Sequence, residues 1–434
     1  MKHNTGDRNS SANHGGRDDE RTSKILLAIA AALLIAVIAF VSGYMGMKLA
    51  AETVADQVAD QIEKQAAAPD TDTAANLAGT PQGDLPVYTA MGDAQEQPTP
   101  APSPTPAATP EPEKTRFPES EVVAFEDPEV EKTIRAALGR PEGDITAGDM
   151  MAITTFNYDP VNDKSATGTI TTLADLRYCV NLNTLHVLHQ PVTSIECLRE
   201  LDQIQDVCIL GCAVSDISPL AGKERLTDVW ISGNPVSDAS CVLALPNLRE
   251  FNASFGTYVT DISAIPATSS LENFFCDNVL NDYTPLLKLK NLRAVMLVGI
   301  SDGFFREMVQ NFRNMSSIRI SNSDIEEESL HLLEGYSLYA LSLKNCGLKD
   351  ISALADLGGV SDLRLGGNQI EDISALKAFS QISYCLDLRN NEIEDLSPLE
   401  NMRLSTLVVS GNPYTDASIT VLDKLENDGC QIIR

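Results

Sequence analysis

Histidine, cysteine and paired carboxylates are the side chains that hold metals or move protons, and this chain has 5 His, 9 Cys and 61 Asp plus Glu. His186 and His189 stand three apart in His-Val-Leu-His, a spacing that on a strand and its following turn keeps two imidazoles from converging on one ion. His3 and His14 fall in a polar leader, and the pattern around His331 is that of a short surface helix. No H-E-x-x-H and no phosphate-binding Gly-Lys loop occurs. The cysteines are odd in number and lack C-x-x-C pairs, so neither a disulfide framework nor a metal centre is expected. Cys208 and Cys385 should face outward, where a thiol could react. Asp216, Asp238, Asp261, Asp350, Asp372, Asp395 and Asp416 recur at regular intervals, which suits turn capping better than acid–base pairing. The expectation is a non-enzymatic protein without metal or cofactor.

Those intervals belong to a larger pattern. Leu363, Leu365, Asn368, Ile370, Asp372, Ile373 and Leu376 repeat the spacing of Leu341, Leu343, Cys346, Leu348, Asp350, Ile351 and Leu354. Repeat starts fall at Leu182, Ile204, Leu226, Leu248, Leu271, Leu292, Met315, Leu338, Val360, Ser383 and Leu404. The intervals are 22, 22, 22, 23, 21, 23, 23, 22, 23 and 21 residues, the mark of a solenoid. The first, fourth and sixth positions are apolar because one turn cannot bury them and stacked turns can. Between them a short strand adds to a parallel sheet at roughly 4.8 Å per repeat. Asn234, Asn368, Asn391 and Asn412 take the ninth position, where an amide can satisfy main-chain groups leaving the sheet, and Cys212 and Cys346 replace it in two turns.

This spacing, with the tail Asp-Ile-Ser-Pro/Ala-Leu at Asp216–Leu220, Asp350–Leu354, Asp372–Leu376 and, with Leu for Ile, Asp395–Leu399, resembles the bacterial internalin-like leucine-rich repeats of the 22-residue subclass. The resemblance implies an α/β solenoid, a horseshoe with its parallel β-sheet on the concave face. It also implies a small helical cap before the repeats. Asp127 with Pro128 starts a helix carrying Val130, Ile134 and Leu138 on one face, Gly139 ends it, and Thr146 with Asp149 forms a second capping signal. The further domain and L-P-x-T-G sorting signal of cell-wall internalins are not expected to follow the repeats, and the anchoring role is expected to fall to Ile25–Met47.

Outward side chains come from the third, fifth and seventh positions. Leu188, Leu210, Trp230, Phe275, Met296 and Val298 make the first six turns largely apolar, and Arg319, Lys344, Arg364 and Arg389 make the later turns basic. Large apolar side chains at such positions mark a contact surface, with Trp and Arg as frequent hot spots. These ten residues are the candidate ligand-binding set on the concave face. The alternative is that the cap or stalk folds back over the apolar part.

Ahead of the repeats, residues 1–24 are polar and read as a disordered cytoplasmic tail. Ile25–Met47 runs 23 residues without a charge, long enough for a single transmembrane helix, and Arg17, Arg21 and Lys24 before it place the N-terminus inside and the repeats outside the cell. Residues 48–65 extend that helix, and their Val54, Val58 and Ile62 stripe could pair two copies weakly. Residues 66–118 form a Pro/Ala/Thr-rich stalk, 119–181 the cap, 182–425 the eleven repeats, and 426–434 a closing strand. The full sequence carries a formal charge of −29, which disfavours nucleic acid as a partner. The expectation is thus a membrane-anchored module at the bacterial cell surface that binds a protein or envelope polymer. The rival is an envelope assembly factor acting through its transmembrane and juxtamembrane segments.

Overall fold

The computed structural model describes residues 117–434. Among them, each repeat start leads into a strand of one sheet: β2 (Thr184–Leu188), β3 (Asp206–Leu210), β4 (Asp228–Trp230), β5 (Glu250–Ala253), β6 (Asn273–Cys276), β7 (Ala294–Val298), β8 (Ser317–Ser321), β9 (Ser337–Lys344), β10 (Gly359–Arg364), β12 (Cys385–Asp387) and β14 (Thr406–Val408). β1 (Thr155–Tyr158) precedes them and β15 (Gln431–Ile433) follows, giving 13 strands in chain order. Two short strands, β11 (Gln381–Ile382) and β13 (Arg403–Leu404), pair separately. Every pairing is parallel. The register stacks like on like: Leu185, Val207, Val229, Phe251, Phe274, Val295, Ile318, Leu341, Leu363, Leu386 and Leu407 form one fourth-position row. All are fully buried, each contributing about 1.5–3 kcal/mol by leaving water.

The chain then has to turn out of the sheet without stranding its polar groups. Asn368 shows how: its Nδ2 donates to the carbonyls of Leu343 (2.7 Å) and Leu365 (2.8 Å), and its Oδ1 accepts from Cys346 N (2.9 Å) and Leu348 N (3.2 Å). Asn234, Asn391 and Asn412 repeat the arrangement. Gln190 fills the same place in the first turn and accepts from Ile170 N at 2.8 Å. Cys346 donates instead through Sγ to Lys344 O at 3.3 Å. One residue earlier the backbone is left-handed, at Gly211, Gly233, Gly299, Asn322, Asn345, Gly367, Asn390 and Gly411, and also at His189 (φ 55°) and Phe255 (φ 51°).

Away from the sheet most turns close through short 3-10 segments such as Ser352–Asp356 and Ser374–Ala378. The Asp of Asp-x-Ser caps the turn at Asp216, Asp238, Asp261, Asp350, Asp372 and Asp395, Asp350 accepting from Ser352 N and Asp372 from Ser374 N, both at 2.7 Å, whereas at Asp416 the Ser418 N–H goes to the Thr415 carbonyl instead. Where Asp-Ile-Ser is missing, longer elements appear, the α-helix Asp302–Asn311 and the 3-10 segment Glu327–Leu333.

Before β1 lies the helix α1 (Pro128–Leu138). Asp127 caps it by accepting from Glu129 N and Val130 N, and Val130 and Ile134 join the repeat core. The same Asp127 accepts from Thr171 N (2.7 Å), and Asp175 accepts from Glu126 N and Asp127 N, so two buried carboxylates tie this segment to the first turn. A last helix, Asp416–Asn427, precedes β15.

Localisation needs a correction. Among the described residues no helix is long and apolar enough to cross a membrane, so the single-pass placement with extracytoplasmic repeats is withdrawn. The run Ile25–Met47 on which it rested, the Val54–Ile62 stripe and most of the stalk lie outside the described residues.

Candidate functional site

Register places the outward side chains in ladders that cross the sheet. The fifth-position ladder runs His186, Cys208, Trp230, Asn252, Phe275, Met296, Arg319, Ser342, Arg364, Asp387 and Val408, each beside the next on adjoining strands. All ten candidate residues therefore belong to one face, on or just beyond its strands. Their depth differs from a plain surface. Trp230 is 4% exposed and Phe275 2%, and Leu188, Leu210, Arg319 and Arg364 are buried as well. Met296, Val298, Lys344 and Arg389 are half-buried and carry the accessible part of the set.

The four cations are held by two carboxylates. Asp362, 1% exposed, takes Arg364 Nε on Oδ1 at 3.0 Å and Arg319 Nη2 on Oδ2 at 3.4 Å. Asp387, also 1% exposed, takes Arg389 Nε on Oδ1 at 2.9 Å, while Lys344 Nζ stands 4.0 Å from Oδ2. Gly366 makes room for this: a Cβ there would come within 3.0 Å of Arg389 Cγ and 3.4 Å of Asp387 Oδ1. Buried Arg side chains without such partners would cost several kcal/mol each, so the Asp residues set where the guanidinium groups sit.

Third-position side chains add an acidic end. Asp206, Asp228 and Glu250 are register neighbours on β3, β4 and β5. His186 Nε2 lies 2.9 Å from Asp206 Oδ2, and Asn273 donates to Glu250 at 2.8 Å. Burial, with repulsion from Asp206 and Glu250, pushes the Asp228 carboxyl above its ordinary value. The face therefore runs from acidic through apolar to basic. Burial likewise pushes the Cys385 thiol up to about 12 and Cys208 well above its usual value, so neither supplies a thiolate at neutral pH.

Asp362 and the Asp206, Asp228, Glu250 row were absent from the expected site. Tabulating third positions alongside the fifth would have found them. Also outside the expectations is a G-x-S-x-G match, Gly299-Ile300-Ser301-Asp302-Gly303, between β7 and the helix after it. Ser301 caps that helix, its Oγ accepting from Phe304 N at 3.3 Å, and no described hydrogen bond joins it to a base. Among the described residues no group of three His, Cys, Asp or Glu could hold a metal. A groove of about 680 Å³ lined by Phe117, Met151, Arg177, Tyr178, Cys197 and Arg199 lies beside the turns rather than the strands, and burial pushes its thiol up to about 12.

One parallel strand per turn of about 22 residues, with an amide ladder at the exit of the sheet, defines a leucine-rich-repeat solenoid like that of internalins. An internalin, InlF, from Listeria monocytogenes str. 4b F2365 matches with a TM-score of 0.52 at 20% identity, over 71% of this chain and 88% of that one. The functional domain of InlJ from Listeria monocytogenes matches at 0.44 and 16% identity, over 69% and 73%. A leucine-rich-repeat protein of Leptospira interrogans matches at 0.41 and 14%, over 62% and 82%. No family model and no curated protein matches the sequence.

Proposed function

We propose that the repeats, residues 182–425, form a non-enzymatic protein-binding module whose contact surface is the outward, concave face of the sheet. The observation that supports this is the patterned ladder: Arg319, Lys344, Arg364 and Arg389, oriented by Asp362 and Asp387, adjoin the apolar row of Phe275, Met296 and Val298 on neighbouring strands. Met296, Val298, Lys344 and Arg389, the half-buried members of the set, make first contact, and the buried Leu188, Leu210, Trp230 and Phe275 extend the same face along β2, β3, β4 and β6. Residues 119–181 and 426–434 close the two ends of the array so that its apolar edges stay dry.

The test is capture of partners from an extract of the source cells by the immobilised full chain. A double variant on the face, Met296→Asp with Lys344→Glu, should lose the captured proteins, while Asp372→Lys on an exposed turn should keep them. Equal capture by the face variant and the parent would overturn the reading.

A further inference from the structure

We propose that two copies of this chain associate through the flank of the first five turns, where the chain leaves the sheet, about a two-fold axis that passes through Pro235. This surface is separate from the outward face of the sheet, and its test is independent of the reading of that face.

The flank is built from the residue that precedes the inward aliphatic side chain of each turn. Val192, Val214, Val236, Val259 and Leu280 are buried, and Pro191, Ala213, Pro235, Tyr258 and Val279 before them are all exposed. Hydrogen bonds from turn to turn keep the row in line: Ala213 N donates to Val192 O at 2.9 Å, and Tyr258 N to Val236 O at 2.7 Å. Most turns place the inward aliphatic six residues after the fifth position, as from Trp230 to Val236, but from Asn252 to Val259 there are seven. This loop is one residue longer than its neighbours, and Tyr258 projects from it, 63% exposed. Phe255 turns the longer loop with left-handed backbone (φ 51°), held by the Asp277 carboxylate, which accepts its N–H at 2.9 and 3.0 Å.

Charge and shape together say what covers the row. Residues 189–194, 211–215, 233–237, 254–260 and 278–281 contain no Lys, Arg, Asp or Glu, whereas the same loops of later turns carry exposed Asp324, Glu326, Lys349, Glu371, Glu392 and Glu394. Two copies, each of net charge −29, repel one another over most of their surface, and contact is least costly where neither brings a charge. A two-fold axis normal to the flank reverses the order of the turns and also exchanges the sheet side with the turn side. The acidic row Asp216, Asp238 and Asp261 of one copy then lies against Gly256, Gly233 and Gly211 of the other, not against its own counterpart. With Pro235 on the axis, Tyr258 of each copy covers Ala213 of the other, a large side chain over a small one on both sides. Val279 meets Pro191 in the same way. This match of the profile to itself points to a second copy rather than to a foreign protein. Five turns at roughly 4.8 Å make a strip about 20 Å long and one loop wide, smaller than the ~800 Å² per partner of a stable dimer, so the association is weak and reversible.

Disulfide trapping reads such a dimer by its geometry. In the full chain, Pro235→Cys puts a thiol on the axis, where it meets its own copy, and Gln369→Cys puts one at the equivalent place of a later turn, where Gln369 N donates to Leu348 O. Under mild oxidation Pro235→Cys should form the interchain disulfide at least about tenfold faster than Gln369→Cys, since only residues on or beside a two-fold axis meet their own copies. The parent, whose nine cysteines are all buried or half-buried, sets the background. Adding Tyr258→Glu should return the rate to that of Gln369→Cys, and because Tyr258 is exposed the melting temperature should not move. A mixture of Ala213→Cys and Tyr258→Cys chains should cross-link while neither does so alone, which decides the matter if Pro235→Cys fails to fold. Equal rates at positions 235 and 369, a rate unmoved by Tyr258→Glu, or Tyr258→Cys cross-linking with itself as readily as with Ala213→Cys overturns the proposal.

Discussion

Replacing Asn368 by Ala should cost about 3 kcal/mol, a figure that follows from counting which groups lose their partners. Four hydrogen bonds disappear: two to main-chain N–H groups, at Cys346 and Leu348, and two to carbonyls, at Leu343 and Leu365. The Leu365 carbonyl keeps a donor, because Asn391 Nδ2 also reaches it at 3.0 Å. Three buried groups are then left unsatisfied, at about 1 kcal/mol or more each. Asp372→Ala is the internal control, since the Ser374 N–H it releases is exposed and turns to water, for a cost below about 1 kcal/mol. Urea unfolding of the two variants gives the difference, and amide exchange at Cys346 and Leu348 shows whether the loss is local, as a solenoid of nearest-neighbour contacts requires. Cys346 lies two residues after Lys344 and Leu365 one after Arg364, so the same change should loosen the binding face. Equal costs for the two variants, or unchanged exchange at both amides, would refute the claim that the Asn ladder holds these turns.

Acid should destabilise the array. Asp216, Asp261, Asp282, Asp350 and Asp395 are held below their ordinary value by the main-chain N–H, then the hydroxyl, of the Ser or Thr two residues on. Their folded values lie below their unfolded ones, so their stabilisation is complete above the ordinary carboxylate range and is lost as pH falls through the folded values. Asp175, Asp228 and Asp277, raised mainly by burial, act with the opposite sign and recover stability as they protonate. The five turn residues outnumber these three, so the melting temperature should fall below about pH 4, and a steady rise down to pH 3 would refute the assignment. His189→Asn should raise stability by roughly 0.5–1 kcal/mol in urea unfolding, because His189 is exposed in the left-handed conformation that Asn322, Asn345 and Asn390 adopt at the same place in their repeats. Trp230→Ala should lower stability by about 3 kcal/mol, whereas Met296→Ala, half-buried, should leave the melting temperature within a few degrees of the parent's and weaken partner capture.

The Trp230 prediction marks where sequence reading stops. A 22-residue period says which way a side chain points, because pointing is set by the alternation along one strand, and the fully buried row from Leu185 to Leu407 and the amide ladder at Asn234, Asn368, Asn391 and Asn412 were legible for that reason. Depth on the outward face is set by neighbours in other repeats. Trp230 lies between Cys208 and Asn252, and Phe275 between Asn252 and Met296, so a ring that points outward is still largely enclosed. The charge pattern was half legible for the same reason. Four cations at outward positions can be read from spacing, but the partner of Arg319 is Asp362, 43 residues on and two strands away, with β9 between them. Without Asp362 and Asp387 the basic end looks like a general attractor of anions. With them the guanidinium groups are fixed in place, by pairings across strands that the spacing within one repeat does not display.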